Sequence, residues 1–226
     1  MIYLLLFSMT ADVLLDRIDE VRFPEKYETY MEMHNHLGEN RDITYKFRAI
    51  SDRGEATYME ILEPPREAGR KFLLIESNIW MYAPEVGRAI RLSTRDKFLG
   101  SEFSNSDLLE STYDNNYEAT SLDSSEDLYY LTLESETRDA PYKKIEMKVR
   151  KKNYIPSEMK FYTLSGRLFR EMIVDSLETF EGRIHATYMK MTNVITPESY
   201  TEVRITSIET LESIPAYLFK PENLGR

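Results

Sequence analysis

Hydrophobic and polar residues alternate along most of this chain with the two-residue period of a half-buried β-strand. Ile43-Tyr45-Phe47-Ala49 alternates with Thr44-Lys46-Arg48, and Ile145-Met147-Val149 with Lys144-Glu146-Lys148-Arg150. The same beat runs through Leu168-Arg170-Met172-Val174, against Phe169-Glu171-Ile173. Further runs of β-formers lie at Tyr30-Met31-x-Met33, Ala56 to Ile61, Arg88 to Leu92, Leu128 to Leu133, Met159 to Phe161, Tyr188 to Met191 and Val203 to Ser207. Lys71 to Ile75 and Ile79 to Tyr82 form a more continuously apolar pair around Ser77-Asn78, which predicts a buried hairpin. Turn residues punctuate the runs at Gly38-Glu39-Asn40, Asp52-Arg53-Gly54, Pro64-Pro65, Ser165-Gly166-Arg167 and Gly182. About ten or eleven strands follow from this pattern.

Two segments break the alternation. Thr10 is a candidate N-cap for a helix whose apolar face carries Leu14, Leu15 and Ile18, and Pro24 ends it. Residues 101–109 lose strand character and offer Ser104 as an N-cap before Asp107. Right-handed strand twist accumulates in so large an antiparallel sheet and curls it. The expected fold is mainly β (α+β): a single large sheet curled into an incomplete, half-open β-barrel, with the short helices as a lid over its concave apolar face.

Composition narrows the function. The 226 residues carry 29 Lys+Arg against 39 Asp+Glu, a net charge of −10, with 42% hydrophobic residues and no cysteine. That apolar content excludes a disordered acidic chain, and the acidic balance argues against a nucleic-acid partner. The lack of cysteine removes thiol nucleophiles, disulfides and thiolate metal sites. Residues 2–7 form the apolar run Ile-Tyr-Leu-Leu-Leu-Phe before Ser8-Met9-Thr10-Ala11. Residues 1–10 read equally as a truncated signal peptide or as an N-terminal helix, leaving 11–226 as one domain. No other run approaches the ~18 apolar residues of a membrane span.

Catalytic chemistry finds little support. His34 and His36 would share one strand face but lack a third ligand, so no metal site is assigned. Ser157-x-x-Lys160 has the spacing of an activated serine only on a helix, and on a strand the two side chains part to opposite faces. No phosphate-cradling glycine loop or Gly-x-Ser-x-Gly occurs, so no catalytic residue and no cofactor is expected. The basic run Lys148 to Lys152 reads as a charged strand edge or as a contact for lipid head groups or an acidic partner. Eleven methionines, paired at Met31-Met33 and Met189-Met191, suit either a plain core or a surface that accepts variable apolar ligands.

Phe72-Leu73-Leu74-Ile75, Ile79-Trp80-Met81-Tyr82-Ala83-Pro84, Arg88 to Leu92, and Phe98-Leu99-Gly100-Ser101-Glu102-Phe103-Ser104-Asn105-Ser106-Asp107-Leu108 resemble the LolA-like outer-membrane lipoprotein-sorting protein family in order and spacing. Tyr154-Ile155-Pro156, Phe161-Tyr162, Gly182-Arg183-Ile184, Tyr188 to Met191 and Leu218 to Leu224 continue the likeness from about residue 12 onward. Ala186 departs where the family often has proline, and Leu177 where an aromatic is common. The resemblance implies an exported, non-enzymatic and monomeric carrier, periplasmic or membrane-associated, that shields acyl chains of lipoproteins or lipids and hands them between inner- or outer-membrane transport proteins. Phe72, Leu74, Trp80, Tyr82, Ile90 and Phe103 are the expected cavity residues. Gly100, Ser101, Phe103, Ser104 and Asp107 form the expected lid motif, in which Asp107 fixes the loop carrying Phe103. A second reading is a periplasmic interaction or scaffold domain whose barrel is filled by its own side chains.

Overall fold

The computed structural model describes residues 9–38, 42–110, 112–138 and 140–225. The stretch 1–10, expected as a truncated signal peptide or an N-terminal helix, falls mostly on residues 1–8, outside the described residues. A helix α1 (Ala11–Arg22) precedes six strands: β1 (Lys26–His36), β2 (Ile43–Asp52), β3 (Ala56–Glu63), β4 (Lys71–Ile75), β5 (Asn78–Ala83) and β6 (Arg88–Leu92). A 3₁₀ turn (Phe98–Gly100) and a short helix α2 (Asn105–Leu109) follow. Then come β7 (Tyr117–Ser124), β8 (Leu128–Ser135), β9 (Lys144–Arg150), β10 (Pro156–Tyr162), β11 (Leu168–Phe180), β12 (Arg183–Asn193) and β13 (Tyr200–Thr210). The described strands number 13, two or three more than the alternation predicts.

All of them join one antiparallel sheet in the order β6-β5-β4-β3-β2-β1-β13-β12-β11-β10-β9-β8-β7. Two meanders therefore meet where β1 pairs β13, with Met31 opposite Ile205 and Met33 opposite Val203. The edges β6 and β7 do not pair, so the barrel stays open, and yet they are consecutive in the chain. Residues 93–116 must run from one edge to the other, and the described ones, among them Phe103, Leu108 and Tyr113, lie on the concave side. Register shifts at Tyr30/Met31, Ala119/Ser121 and Val174/Ser176 add local bend and twist of the kind that helps a sheet coil.

Alternation sorts the faces. The convex side is wet and crossed by ion pairs such as Lys148–Glu158 at 2.6 Å, Lys160–Glu171 at 3.6 Å and Arg48–Glu28. Exposed pairs of this kind stabilise little. The concave side holds the main core, including Met33, Phe47, Met59, Phe72, Leu131, Met147 and Phe161. Methionines stand directly opposite one another across four strands, Met147 to Met159 to Met172 to Met191.

The two helices cover this face. Thr10 caps α1, its hydroxyl accepting from Val13 N–H at 3.3 Å, and Leu14, Leu15 and Ile18 are buried. Arg53 fastens the end of α1 by donating to the carbonyls of Glu20 and Phe23. The C-terminal stretch, expected as an apolar tail, forms 3₁₀ turns (Ala216–Phe219 and Pro221–Asn223) that bring Phe219 and Leu224 onto the convex side of β3 to β5.

Candidate functional site

Between the helices and the middle of the sheet lies a cavity of about 110 Å³. Its floor is Met31 from β1, Met159 from β10, Met172 and Val174 from β11, Met189 and Met191 from β12, and Val203 and Ile205 from β13. Ile18, Val21 and Arg22 of α1, Phe23 just after it, and Phe103, Leu108, Thr112 and Tyr113 of the crossing segment form the roof. Unbranched thioethers turn through three bonds and refill irregular gaps, so this floor adapts its shape at little cost. Water takes about 30 Å³ of liquid volume, and a methylene takes a similar share. The partly enclosed cavity thus admits a few methylenes, and a long acyl chain enters only as methionines repack or the roof lifts.

The roof is pinned by buried polar groups. Ser104 and Asp107 form a reciprocal capping box at the start of α2: Ser104 N–H donates to Asp107 Oδ2 at 2.7 Å and Asp107 N–H to Ser104 Oγ at 3.1 Å. The buried Tyr142 hydroxyl donates to the same Oδ2 at 2.6 Å and accepts from Arg170 Nη1 at 2.8 Å. Arg170 continues to Glu102, 1% exposed, which also takes Lys97 Nζ at 2.6 Å and Ser199 Oγ at 2.7 Å. Gly100 adopts φ +74°, where a side chain would be strained, and Ser101 Oγ closes the turn against Phe103.

A second tie joins α1 to the crossing segment. The buried Asp19 carboxylate accepts from Tyr113 N–H at 2.9 Å and Asp114 N–H at 3.2 Å. Burial pushes its pKa up to about 7, the two N–H donors and Arg22 opposing. Glu110 also rises to about 7 through burial, although Ser106 and Asn116 bond it. The half-buried Arg22 lies over the Tyr113 ring at 4.8 Å, and the Tyr113 hydroxyl donates to Met159 Sδ at 3.7 Å.

The expected cavity residues divide. Phe103 lines the cavity, and Asp107 forms the capping box with Ser104 directly after it. Phe72 and Leu74 belong to the concave core but lie outside the cavity lining; Phe72 packs on Phe98 with ring centroids 4.8 Å apart. Ile90, opposite Met81, shares that face and also stays outside the lining. Trp80 and Tyr82 need correction, because register places them with Leu73 on the convex face, in a second cluster with Tyr58 and Leu224. Phase along the hairpin alternates inward and outward, so Trp80 and Met81 cannot both face inward. Of the lid motif, Gly100, Ser101 and Ser104 shape the turn, and Phe103 and Asp107 line the cavity.

The methionine floor, Arg22, Thr112 and Tyr113 were not singled out as site residues. The paired Met31-Met33 and Met189-Met191 carried a signal for the floor, whereas Arg22 reads simply as a basic residue in a last helical turn. His34 bonds Thr44, and His36 stacks on Tyr200 beside Asp42 and Glu202, both remote from the cavity lining. Among the described residues no group of three or more His, Asp or Glu side chains is placed to hold a metal. None of their helices is long and apolar enough to cross a membrane.

Residues 53–226 match the model of a family described as uncharacterized protein-like. The chain belongs to that family. Its fold is that of a LolA superfamily protein from Nitrosomonas europaea, with a TM-score of 0.85 at 23% identity over 95% of this chain and 99% of that one. A DUF1329 family protein from Desulfovibrio piger superposes with a TM-score of 0.83 at 18% identity, covering 95% and 97% of the two chains. A domain from Vibrio parahaemolyticus named as an outer membrane lipoprotein-sorting protein gives 0.78 at 20% identity, covering 96% and 100%. No curated protein matches the sequence. At these identities the likeness establishes the architecture, a LolA-like incomplete barrel, and the chemistry of the cavity has to carry the function.

Proposed function

We propose that this chain is an exported, non-catalytic carrier that shields acyl chains of lipids or lipoproteins in the cavity between its sheet and its helical roof. The observation that carries the reading is the floor of opposed methionines beneath a roof of short, separately pinned elements. Burial of each methylene contributes about 0.8 kcal/mol, so even part of a chain drawn into this space binds usefully. Sheet and roof form one domain over residues 11–226. The setting is periplasmic, with membrane transport proteins as donor and acceptor and the protein acting as a monomer.

The small volume is the observation that favours a second reading, an interaction domain whose barrel is filled by its own side chains. Native mass spectrometry of freshly purified protein, followed by delipidation and titration with a fluorescent fatty-acyl probe, separates the two. Co-purified lipid that the probe displaces supports the carrier. A protein that is empty as purified and takes up no probe supports the filled barrel.

A further inference from the structure

The cavity is mainly apolar, and the polar part of its lining includes Arg22 and Thr112 together with Asp107 and Glu110. Arg22 ends α1 with its guanidinium at the cavity wall, and no carboxylate among the described residues comes within ion-pairing distance of it. Its contacts are a 3.4 Å hydrogen bond to the Asp107 carbonyl and the faces of Tyr113 and Phe23. The carboxylates nearby are engaged elsewhere: Asp19 with backbone N–H groups, Asp107 with Ser104 and Tyr142, Glu110 with Asn116.

A second polar residue belongs to the same lining. Thr112, 7% exposed, lines the cavity, and its buried hydroxyl has no hydrogen-bond partner. Thr112 precedes Tyr113, on whose ring Arg22 rests, and packs near Gly54; Arg53, next to Gly54, donates to the carbonyls on either side of Arg22. The two groups therefore belong to one end of the cavity, at the β2–β3 turn. A guanidinium that makes no salt bridge and a buried hydroxyl with no partner are each under-satisfied, and an anionic oxygen group satisfies both.

We propose that Arg22 and Thr112 hold the anionic oxygen head group, a carboxylate or a phosphate, of an amphiphile whose chain lies over the methionine floor. This rests on the carrier reading and specifies its cargo: a negatively charged lipid, selected by a local cation in a protein whose overall charge of −10 repels anions.

The test compares ligands of one chain length on the full chain: dodecanoate, dodecyl phosphate and dodecanol. The wild-type protein binds the preferred anion at least about tenfold tighter than the alcohol, as charge-assisted hydrogen bonds require. Whichever anion binds tighter names the head group. Arg22→Met removes the preference for the anion over dodecanol, Arg22→Lys keeps part of it, and Thr112→Val narrows it. Equal wild-type affinity for anion and alcohol overturns the head-group proposal and leaves the carrier standing. Failure of all three to bind overturns both. The wild-type comparison decides even if a variant does not fold.

Discussion

Asp107→Ala tests how the roof is held. The substitution removes the acceptor for Ser104 N–H, half of the capping box, which contributes about 1 kcal/mol. It also strips the buried Tyr142 hydroxyl of a carboxylate acceptor at 2.6 Å, and hydrogen bonds to charged groups contribute roughly 1.5–3 kcal/mol. The sum is about 3 kcal/mol, and a domain of this size loses roughly 2–4 °C of melting temperature per kcal/mol. A fall on the order of 10 °C by circular dichroism is expected, with faster amide exchange in residues 98–110 than in β12 or β13. Tyr142→Phe loses less, because Ser104 N–H remains on Asp107. Since both act on one bond, the double variant falls short of the sum by at least about 0.5 kcal/mol. Strict additivity, or exchange that rises in the sheet and not in the roof, refutes the claim that this network pins the roof.

Other perturbations bear on the remaining parts of the account. Asp19 is pushed up to about 7 by burial, so between its ordinary value and 7 the folded chain retains a proton that the unfolded chain has lost, and stability falls as pH rises through that window. The melting temperature of Asp19→Asn relative to wild type therefore increases from pH 5.5 to pH 8, and a difference that is flat in pH contradicts the buried carboxylate. His185, whose pKa burial lowers, titrates alike in both proteins and cancels from that difference. Trp80→Phe leaves acyl-probe affinity within about twofold, and the wild-type tryptophan emission does not respond to ligand, because Trp80 packs on the convex face; a ligand-dependent emission shift argues against that placement. Phe103→Ala removes an apolar wall of the cavity and weakens probe binding by about tenfold, near 1.4 kcal/mol, in the same titration. Unchanged affinity removes Phe103 from the site.

Strand alternation made the architecture legible wherever one face of the sheet is wet, as in β2, β9 and β11. It failed for β7, whose Tyr117-Glu-Ala-Thr-Ser-Leu-Asp-Ser sequence is mostly exposed at a sheet edge and carries little apolar signal. Both caps were readable because Thr10 and Ser104 sit just before their helices, and capping is local chemistry. The cavity was not. The hairpin of β4 and β5 has the densest apolar run because both of its faces are covered, by Phe98 on one side and by the C-terminal turns on the other. Density of hydrophobic residues therefore marked two-sided burial rather than a site. The cavity lies where β1 meets β13, a pairing of segments from opposite ends of the chain that no local pattern encodes.

The central claim is that an acyl chain occupies the space over the methionine floor. Photo-crosslinking with a fatty acid that carries a diazirine near its chain end, followed by peptide mapping, tests it most directly. The account predicts labels on Met159, Met172, Met189, Met191 and the roof residue Tyr113. Labels confined to the convex cluster around Tyr58, Trp80 and Tyr82, or no specific labelling, would contradict it.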